Sequence, residues 1–421
     1  MAGPKKVVIV GGGIIGLSAA YYSLLKGHSV TILERSKDDY DCCSIGNAGM
    51  IVPSHFVPLA APGMVGYGLK MLPHPDGPFA IKRSWNAEFM RWCLLFAQSS
   101  NEGHVDRSGP LLRDLNMASR QAYEELNKEL CGGFDLQLGG LLMLVKSAHA
   151  LEEEAQIAKR ANALGIPATV VNPDEAAKID TSITMNVAGG VYYPKDGHLS
   201  PQKLVSALKS AVSRNGAELV SESEVTEFQH RKGKVFAAST SHGDFIADEF
   251  VLASGSWSAK VIRSLGLSIP LQPGKGYSLT LSNPPQLPKV CSILLEARVA
   301  VTPMGSQLRF GGTMEIGSFD RNTERRRVDG IIRAIPDYFP AFNADDFKNV
   351  DVWNGLRPCS PDGLPYVGRF SKYPNLLAAF GHAMMGVSLG PITGQLLAQL
   401  LSDEAPSYSL DLLNPDRFGR K

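Results

Sequence analysis

Three glycines and a carboxylate near the start of the chain have the spacing to hold a dinucleotide. Gly11, Gly13 and Gly16 make the pattern Gly-x-Gly-x-x-Gly inside KKVVIVGGGIIGLSAAYYSLLKGHSVTILE, which ends in Glu34. Gly11 permits a tight turn, and Gly13 lets the backbone approach a pyrophosphate at a helix N-terminus. Gly16 allows helix and strand to pack closely, and Glu34 can accept hydrogen bonds from a ribose hydroxyl pair. The elements that must position them are legible too. Lys5–Val10 is a β-branched run of the buried parallel-strand kind, Gly27 ends the helix, and Ser29–Leu33 is a second buried strand. The motif specifies an adenine dinucleotide. It does not choose between FAD and NAD, and a glycine-rich turn in an ordinary α/β unit is the competing reading.

With 421 residues, 44% hydrophobic and 20% charged, the chain is long enough for two domains and a large core. A formal net charge of +1 gives no push toward nucleic acid, so no nucleic-acid partner is expected. Arg325–Arg327 is too short a run for a basic tail and reads as a solvated turn or helix start. Lys5 and Lys6 before an apolar run imitate a signal peptide, but the glycine spacing and following helix argue against one. No stretch reaches the ~18–20 apolar residues of a membrane span. The six cysteines show no CxxC pair and no metal-ligand spacing, so no metal is expected and a reducing, cytoplasmic setting is. Adjacent Cys42 and Cys43 read as small buried residues near the cofactor rather than a redox pair.

Further along, Pro53–Pro78 is a Pro- and Gly-rich segment of the length that usually makes a functional loop. Residues 84–99 and 110–130 look helical, Leu136–Ser147 reads as a bent strand pair turning at Gly139–Gly140, and Leu151–Leu164 is a helix. Ser200 and Pro201 open a helix that Gly216 closes; Phe250–Trp257, FVLASGSW, is a buried strand running into a glycine turn. Residues 270–320 alternate as an antiparallel sheet does, and Leu376–Ala379 leads to a last helix at Pro391–Leu401. The fold class expected is α/β with α+β: a discontinuous Rossmann-type domain for the dinucleotide (1–83, 151–265 and 345–421) and an antiparallel-sheet domain for the substrate (84–150 and 266–344).

Four further blocks carry a family pattern: SIGNAGMIVP at Ser44–Pro53, DGHLSP at Asp196–Pro201, WNGLRPCSPDGLP at Trp353–Pro365 and GHAMMGVSLGPITG at Gly381–Gly394. In this order, with the N-terminal motif, they make essentially the whole chain resemble the D-amino-acid dehydrogenases. These belong to the flavoprotein superfamily of D-amino-acid oxidase, glycine oxidase and sarcosine oxidase. PLAAPGM and PGKGYSLT point to the dehydrogenase branch. The resemblance implies FAD under an antiparallel roof, and hydride transfer from an amine-bearing Cα to flavin N5, followed by hydrolysis to a 2-oxo acid and ammonia.

It also implies site residues. Gly11, Gly13, Ile14, Ile15, Gly16, Glu34 and Arg35 would hold the ADP half, with Val225, Ala253, Gly255 and Trp257. Gly46, Asn47, Ala48 and Gly49 would bring backbone amides near pyrophosphate and flavin; a plain turn is the alternative. Gly381, His382, Gly386 and Val387 precede the final helix, whose N-terminus would stabilise charge developing on the reduced flavin. His382 is either a flavin-edge donor or a satisfied histidine beside the turn. Arg357, in GLRP, would hold the substrate carboxylate through its planar fork, the competing partner being Asp362. Tyr277 is a candidate second hydrogen bond to that carboxylate, against packing as a strand aromatic. His55, beside Ser54, is a candidate substrate contact, against a solvated loop histidine. No acid–base pair stands out, as suits hydride transfer, where orientation and flavin electronics do most of the work.

In sarcosine-oxidase relatives a lysine near the flavin promotes reaction with oxygen. The corresponding strand here, Gly312–Gly317, has none, which favours a dehydrogenase passing electrons to a quinone or another carrier. The covalent-flavin cysteine pattern is absent, so non-covalent FAD is expected. The substrate class expected is D-amino acids, with cyclic imino acids such as D-proline or hydroxyproline included. A glycine- or sarcosine-type oxidase using oxygen is the alternative. Trp85–Phe96, WNAEFMRWCLLF, fits an interfacial helix giving peripheral membrane contact and, preferentially, one packed in the substrate domain.

Overall fold

A computed structural model describes residues 3–37, 42–81 and 86–419. The glycine motif lies on a six-stranded sheet ordered Tyr366–Arg369, Leu376–Phe380, Glu249–Leu252, Lys6–Val10, Ser29–Leu33, Glu218–Val220. Every pairing is parallel except that of the first two strands. Lys6–Val10 is central. Val7 and Ile9 face the helices Ile14–Leu25, Pro201–Arg214 and Gly386–Leu401, while Val8 and Val10 face the small sheet that includes Glu227–Arg231 and Lys234–Thr240. Burial on both faces is why this strand reads as an unbroken apolar run.

A larger sheet runs Val352–Cys359, Gln272–Leu281, Gln307–Ile316, Val299–Met304, Cys291–Leu294, Leu141–Val145, Gly189–Tyr193, Thr169–Val171, with Phe79–Ile81 beside Gln307–Ile316. It is antiparallel except where Cys291–Leu294 meets Leu141–Val145 and where Phe79–Ile81 meets Gln307–Ile316. Those partners come from distant segments with no hairpin to dictate direction. Helix Arg325–Tyr338 covers the outer face through Val328, Ile331, Ile332 and Ile335.

These pairings cut across the expected pieces. Thr169–Val171 and Gly189–Tyr193, expected within 151–265 of the cofactor domain, hydrogen-bond into the large sheet. Helix Glu102–Glu129, expected with 84–150 in the substrate domain, buries Leu112, Leu115, Tyr123 and Leu126 in the core beside the six-stranded sheet. Periodicity marks a buried face but not the sheet it covers. The expected boundary at 83/84 lies outside the described residues. Other differences are local. Helix Met64–Met71 interrupts the long loop, only Leu141–Val145 of the 136–147 pair is a strand, and the last helix begins at Gly386. Pro391 therefore sits inside that helix and cannot donate to the Val387 carbonyl; Tyr123 Oη supplies the missing bond.

Candidate active site

Gly16 packs as its type requires: a Cβ there would lie 1.9 Å from the Gly11 carbonyl oxygen. The close approach leaves the N-terminus of helix Ile14–Leu25 facing an elongated cavity beyond the strand ends. Glu34 is nearly sealed in, and both its oxygens already accept backbone N–H groups, from Gly12 at 2.9 Å and Ser36 at 3.0 Å. The carboxylate is therefore oriented with lone pairs to spare for a diol. Arg35 stacks its guanidinium 3.6 Å from the centre of the Trp257 ring. This cavity is lined by Gly11, Gly13, Ile14, Ile15, Glu34, Arg35, Asn47, Val225, Ala253, Gly255, Trp257, His382, Gly386 and Val387, all read from the sequence as cofactor contacts. Gly16, Gly49 and Gly381 line neither this cavity nor its neighbour. Gly49 packs against Leu199 and Pro201, and Gly381 against Tyr366.

The second cavity, of about 470 Å3, adjoins the first through Cys43, Asn47 and Gly355. Gly46, Ala48, His55, Tyr277 and Arg357 line it, amid mostly apolar side chains such as Met50, Phe79, Trp92 and Met314. Among the described residues its walls carry the cations Arg298 and Arg357 and no carboxylate. Arg357 lies across Gly276, where a Cβ would be 1.8 Å from Nη1. Nη1 donates to the Thr313 carbonyl at 2.9 Å, and among the described residues no acid pairs with this guanidinium. Burial lowers its pKa. Asp362, the competing partner in the sequence reading, is taken by Arg417 at 2.7 and 2.9 Å.

Two expected roles do not survive the hydrogen bonding. Tyr277 Oη gives its one proton to Glu315 and accepts from Glu324 N at 3.1 Å, so it has none for a substrate carboxylate. Burial and Glu315 both raise its pKa. His382 cannot be a donor at the cavity. Thr393 Oγ1 gives its proton to the Leu389 carbonyl, so His382 Nε2 must carry the hydrogen that bridges to Thr393. Nδ1 is left as a buried acceptor without a partner, and burial holds the imidazole neutral by lowering its pKa to about 3. His55 is not a solvated loop residue. It lines the second cavity with Nδ1 turned 3.1 Å from Ser54 Oγ.

The loop joining the two cavities is pinned by residues the sequence reading missed. Arg309, from the strand Gln307–Ile316, donates to the carbonyls of Ile45 and Asn47, both at 2.8 Å, and to Thr280 Oγ1. Its burial lowers its pKa to about 10. The one available signal was an arginine among apolar residues in QLRFGG. Ser44 Oγ accepts from Ile14 N at 3.0 Å, tying the same loop to the helix N-terminus. Met50–Ile51 pairs with Gly197–His198, which brings the NAG and DGHLSP blocks together. Ser388 links Val52 N to Asn116 Oδ1, fixing the last helix to that loop. In helix Ala87–Ser99, Phe89 and Trp92 are buried, Trp92 donating to the Cys359 carbonyl, while Met90 and Leu94 are exposed. Trp85 lies outside the described residues.

Residues 6–400 match the family model described as FAD dependent oxidoreductase. Among curated proteins, the chain is similar to a D-amino acid dehydrogenase of Vibrio atlanticus, 30% identical over 419 residues, covering 98% of this chain and 100% of that one. A D-amino acid dehydrogenase of Methylobacterium radiotolerans is 31% identical over 423 residues, covering 98% and 99%. Among solved structures, glycine oxidase from Geobacillus kaustophilus superposes with a TM-score of 0.78 at 24% identity, covering 99% of each chain. L-proline dehydrogenase from P. horikoshii gives 0.72 at 18% identity, covering 99% and 98%. These structural likenesses speak to the fold.

Proposed function

The chain belongs to the FAD-dependent oxidoreductase family, and from that premise we propose that it oxidises the amine carbon of D-amino acids. The electrons pass to a quinone or another carrier rather than to oxygen. The residues fit FAD. An oriented carboxylate, Glu34, closes one end of the elongated cavity, two helix N-termini open on it, and the sealed Nδ1 of His382 is an acceptor in search of a donor. Glu34 would hold the adenosine ribose. The N-termini at Ile14 and Gly386 would face the ligand's negatively charged parts. We take the FAD to be non-covalent: burial raises the pKa of the Cys42 thiol and keeps it an unreactive neutral group. We assign the six-stranded sheet and its helices to the cofactor domain and the larger sheet to the substrate domain.

The observation that carries the reading is Arg357, a half-buried guanidinium with no acid partner among the described residues, which opens on an apolar cavity adjoining the dinucleotide site. An unpaired buried cation is costly, and a ligand carboxylate removes the cost. FAD, when bound, supplies the hydride acceptor. Arg357 fixes the substrate by its carboxylate, which leaves Cα and its nitrogen to be oriented by the remaining walls. Those walls, with two arginines and no carboxylate among the described residues, disfavour a cationic side chain and favour an apolar one, proline-like rings included. The D-amino acid dehydrogenases among the relatives support the D-configuration.

No helix among the described residues is long and apolar enough to cross a membrane. Met90 and Leu94 are exposed on helix Ala87–Ser99, whose inner face lines the substrate cavity; Leu72 is exposed just past helix Met64–Met71, whose exposed Val65 and Leu69 stand at the cavity itself. We propose a cytoplasmic enzyme that turns this edge toward the inner face of the membrane to reach a quinone. Anaerobic mixing of the flavoprotein with D- and L-amino acids tests the reading: D-enantiomers of apolar or cyclic amino acids bleach the flavin. Bleaching by L-enantiomers alone overturns it, and stoichiometric hydrogen peroxide under air assigns an oxidase instead.

A further inference from the structure

We propose that His55 takes the proton from the bound substrate's ammonium group, with Ser54 and Asp196 forming the relay that sets its tautomer and receives the charge. The inference rests on the amine-oxidation reading above. Cα can lose a hydride with assistance only from a nitrogen lone pair, so an ammonium must first become an amine. Nothing assigned so far removes that proton.

Three residues from two separated blocks meet beside the cavity. Ser54 N donates to Asp196 Oδ1 at 3.0 Å, Ser54 Oγ donates to Oδ2 at 2.5 Å, and the same Oγ lies 3.1 Å from His55 Nδ1. A serine hydroxyl has one proton. Given to an ionised Asp196, it leaves Oγ able only to accept from His55, so Nδ1 carries the ring hydrogen. Nε2 is then a bare base. It makes no hydrogen bond among the described residues, is not a sealed atom, and belongs to a ring that lines the same cavity as Arg357.

The proton balance closes over five atoms. A substrate N–H bond breaks and His55 Nε2–H forms; Nδ1–H breaks and Ser54 O–H forms; the original Ser54 O–H breaks and Asp196 Oδ2–H forms. A cation and an anion become two neutral groups in a site away from water, which is favourable there. The surroundings fit this direction of travel. Burial lowers the pKa of His55 to about 4, and Arg298 and Arg357 stand in the same cavity wall, so an imidazolium does not persist. Asp196 is fully buried, which raises its pKa to about 7 against the opposing Ser54 bonds and the Arg120 charge. The other titratable groups around it are Tyr193, Cys291 and His198, all held neutral by burial. The carboxylate is therefore where the proton comes to rest.

Two measurements on the holoenzyme decide the matter. The first is the pH profile of anaerobic flavin reduction by a D-amino acid. In His55→Asn the rate at neutral pH should fall on the order of 100-fold and return toward that of the parent at alkaline pH, where the amine arrives deprotonated. Ser54→Ala and Asp196→Asn should move the rising limb to higher pH. A loss by the same factor at every pH, or an unchanged profile in His55→Asn, overturns the proposal. The second is the 15N spectrum of labelled histidines, with His55 identified by its disappearance in His55→Asn. Above the ionisation of Asp196 it should show the Nδ1–H tautomer. In Asp196→Asn the new amide NH2 faces Ser54 Oγ, the hydroxyl turns to donate to Nδ1, and the tautomer should switch to Nε2–H. An Nε2–H tautomer in the parent, or no switch, overturns the relay. If no D-amino acid reduces the flavin, the amine-oxidation reading and its substrate proton fall together. The tautomer pattern separates that failure from a failure of the relay itself.

Discussion

Replacing Arg357 by methionine should separate binding from stability. The guanidinium is committed once inside the protein, to the Thr313 carbonyl, which leaves the rest of its donor fork for a carboxylate. Two charge-assisted hydrogen bonds are worth about 1.5–3 kcal/mol each, together about 3–6 kcal/mol. That corresponds to a roughly 100- to 10,000-fold rise in Kd. The fold should not suffer in proportion. Methionine leaves the Thr313 carbonyl without its donor, at about 1–3 kcal/mol, but removes a half-buried cation that no acid among the described residues neutralises, so the unfolding midpoint should change little. Gly276→Ala offers the same test with the charge retained, since its methyl must push the guanidinium aside. The assay is perturbation of the flavin spectrum by an amine-free carboxylate of substrate size, so chemistry plays no part. If both variants bind it as the parent does, Arg357 does not hold the carboxylate, and Arg298 is the remaining cation in the wall.

Glu34→Ala takes the acceptor from Gly12 N and Ser36 N as well as from the ribose, and FAD Kd by flavin fluorescence should rise at least tenfold; unchanged affinity would remove Glu34 from the site. Arg309→Met strips donors from the Ile45 and Asn47 carbonyls, so FAD binding and the unfolding midpoint should both fall, by about 1–3 kcal/mol per carbonyl left bare. A variant with normal flavin affinity would show that the loop holds its shape unaided. His382 has a folded pKa of about 3, far below its ordinary value near 6.5, so as pH falls below ~6.5 the unfolded chain binds the proton first. Its contribution to stability is thus present above that pH and is lost toward pH 3. His382→Gln should flatten the decline of the denaturant midpoint between pH 7 and 5, and an unaltered slope would refute the assignment.

The parts of the site that depend on local backbone were legible in the sequence. Gly11, Gly13 and Glu34 lie at a turn, a helix end and a strand end close together in sequence, so spacing alone puts them on one cavity. Arg357 was singled out from its motif, and the structure puts it on the wall of the second cavity. Less legible was the direction in which a side chain spends its protons. Tyr277 looked like a donor until Glu315 appeared beneath it, and the tautomer of His382 is set by Thr393. Pairing between distant segments was the other blind spot. Nothing near Arg309 announces that it will reach the carbonyls of Ile45 and Asn47, and nothing in SIGNAGMIVP or DGHLSP says that Met50–Ile51 and Gly197–His198 share a ladder. Sheet register of that kind is decided by what else is packed, not by propensity.

The order of strands in the six-stranded sheet has a consequence for synthesis. Its central strand, Lys6–Val10, pairs on one side with Ser29–Leu33, made moments later, and on the other with Glu249–Leu252. That strand in turn waits for Leu376–Phe380, and helix Ile14–Leu25 for Gly386–Leu401, which packs along it. At ~5–20 residues per second, a nascent chain carries an uncovered apolar strand and half a ligand cradle for tens of seconds. The glycine motif thus becomes functional only long after it leaves the ribosome. Cofactor capture reports that the chain has been made and closed through helix Gly386–Leu401, so a chain broken off before that helix should remain colourless.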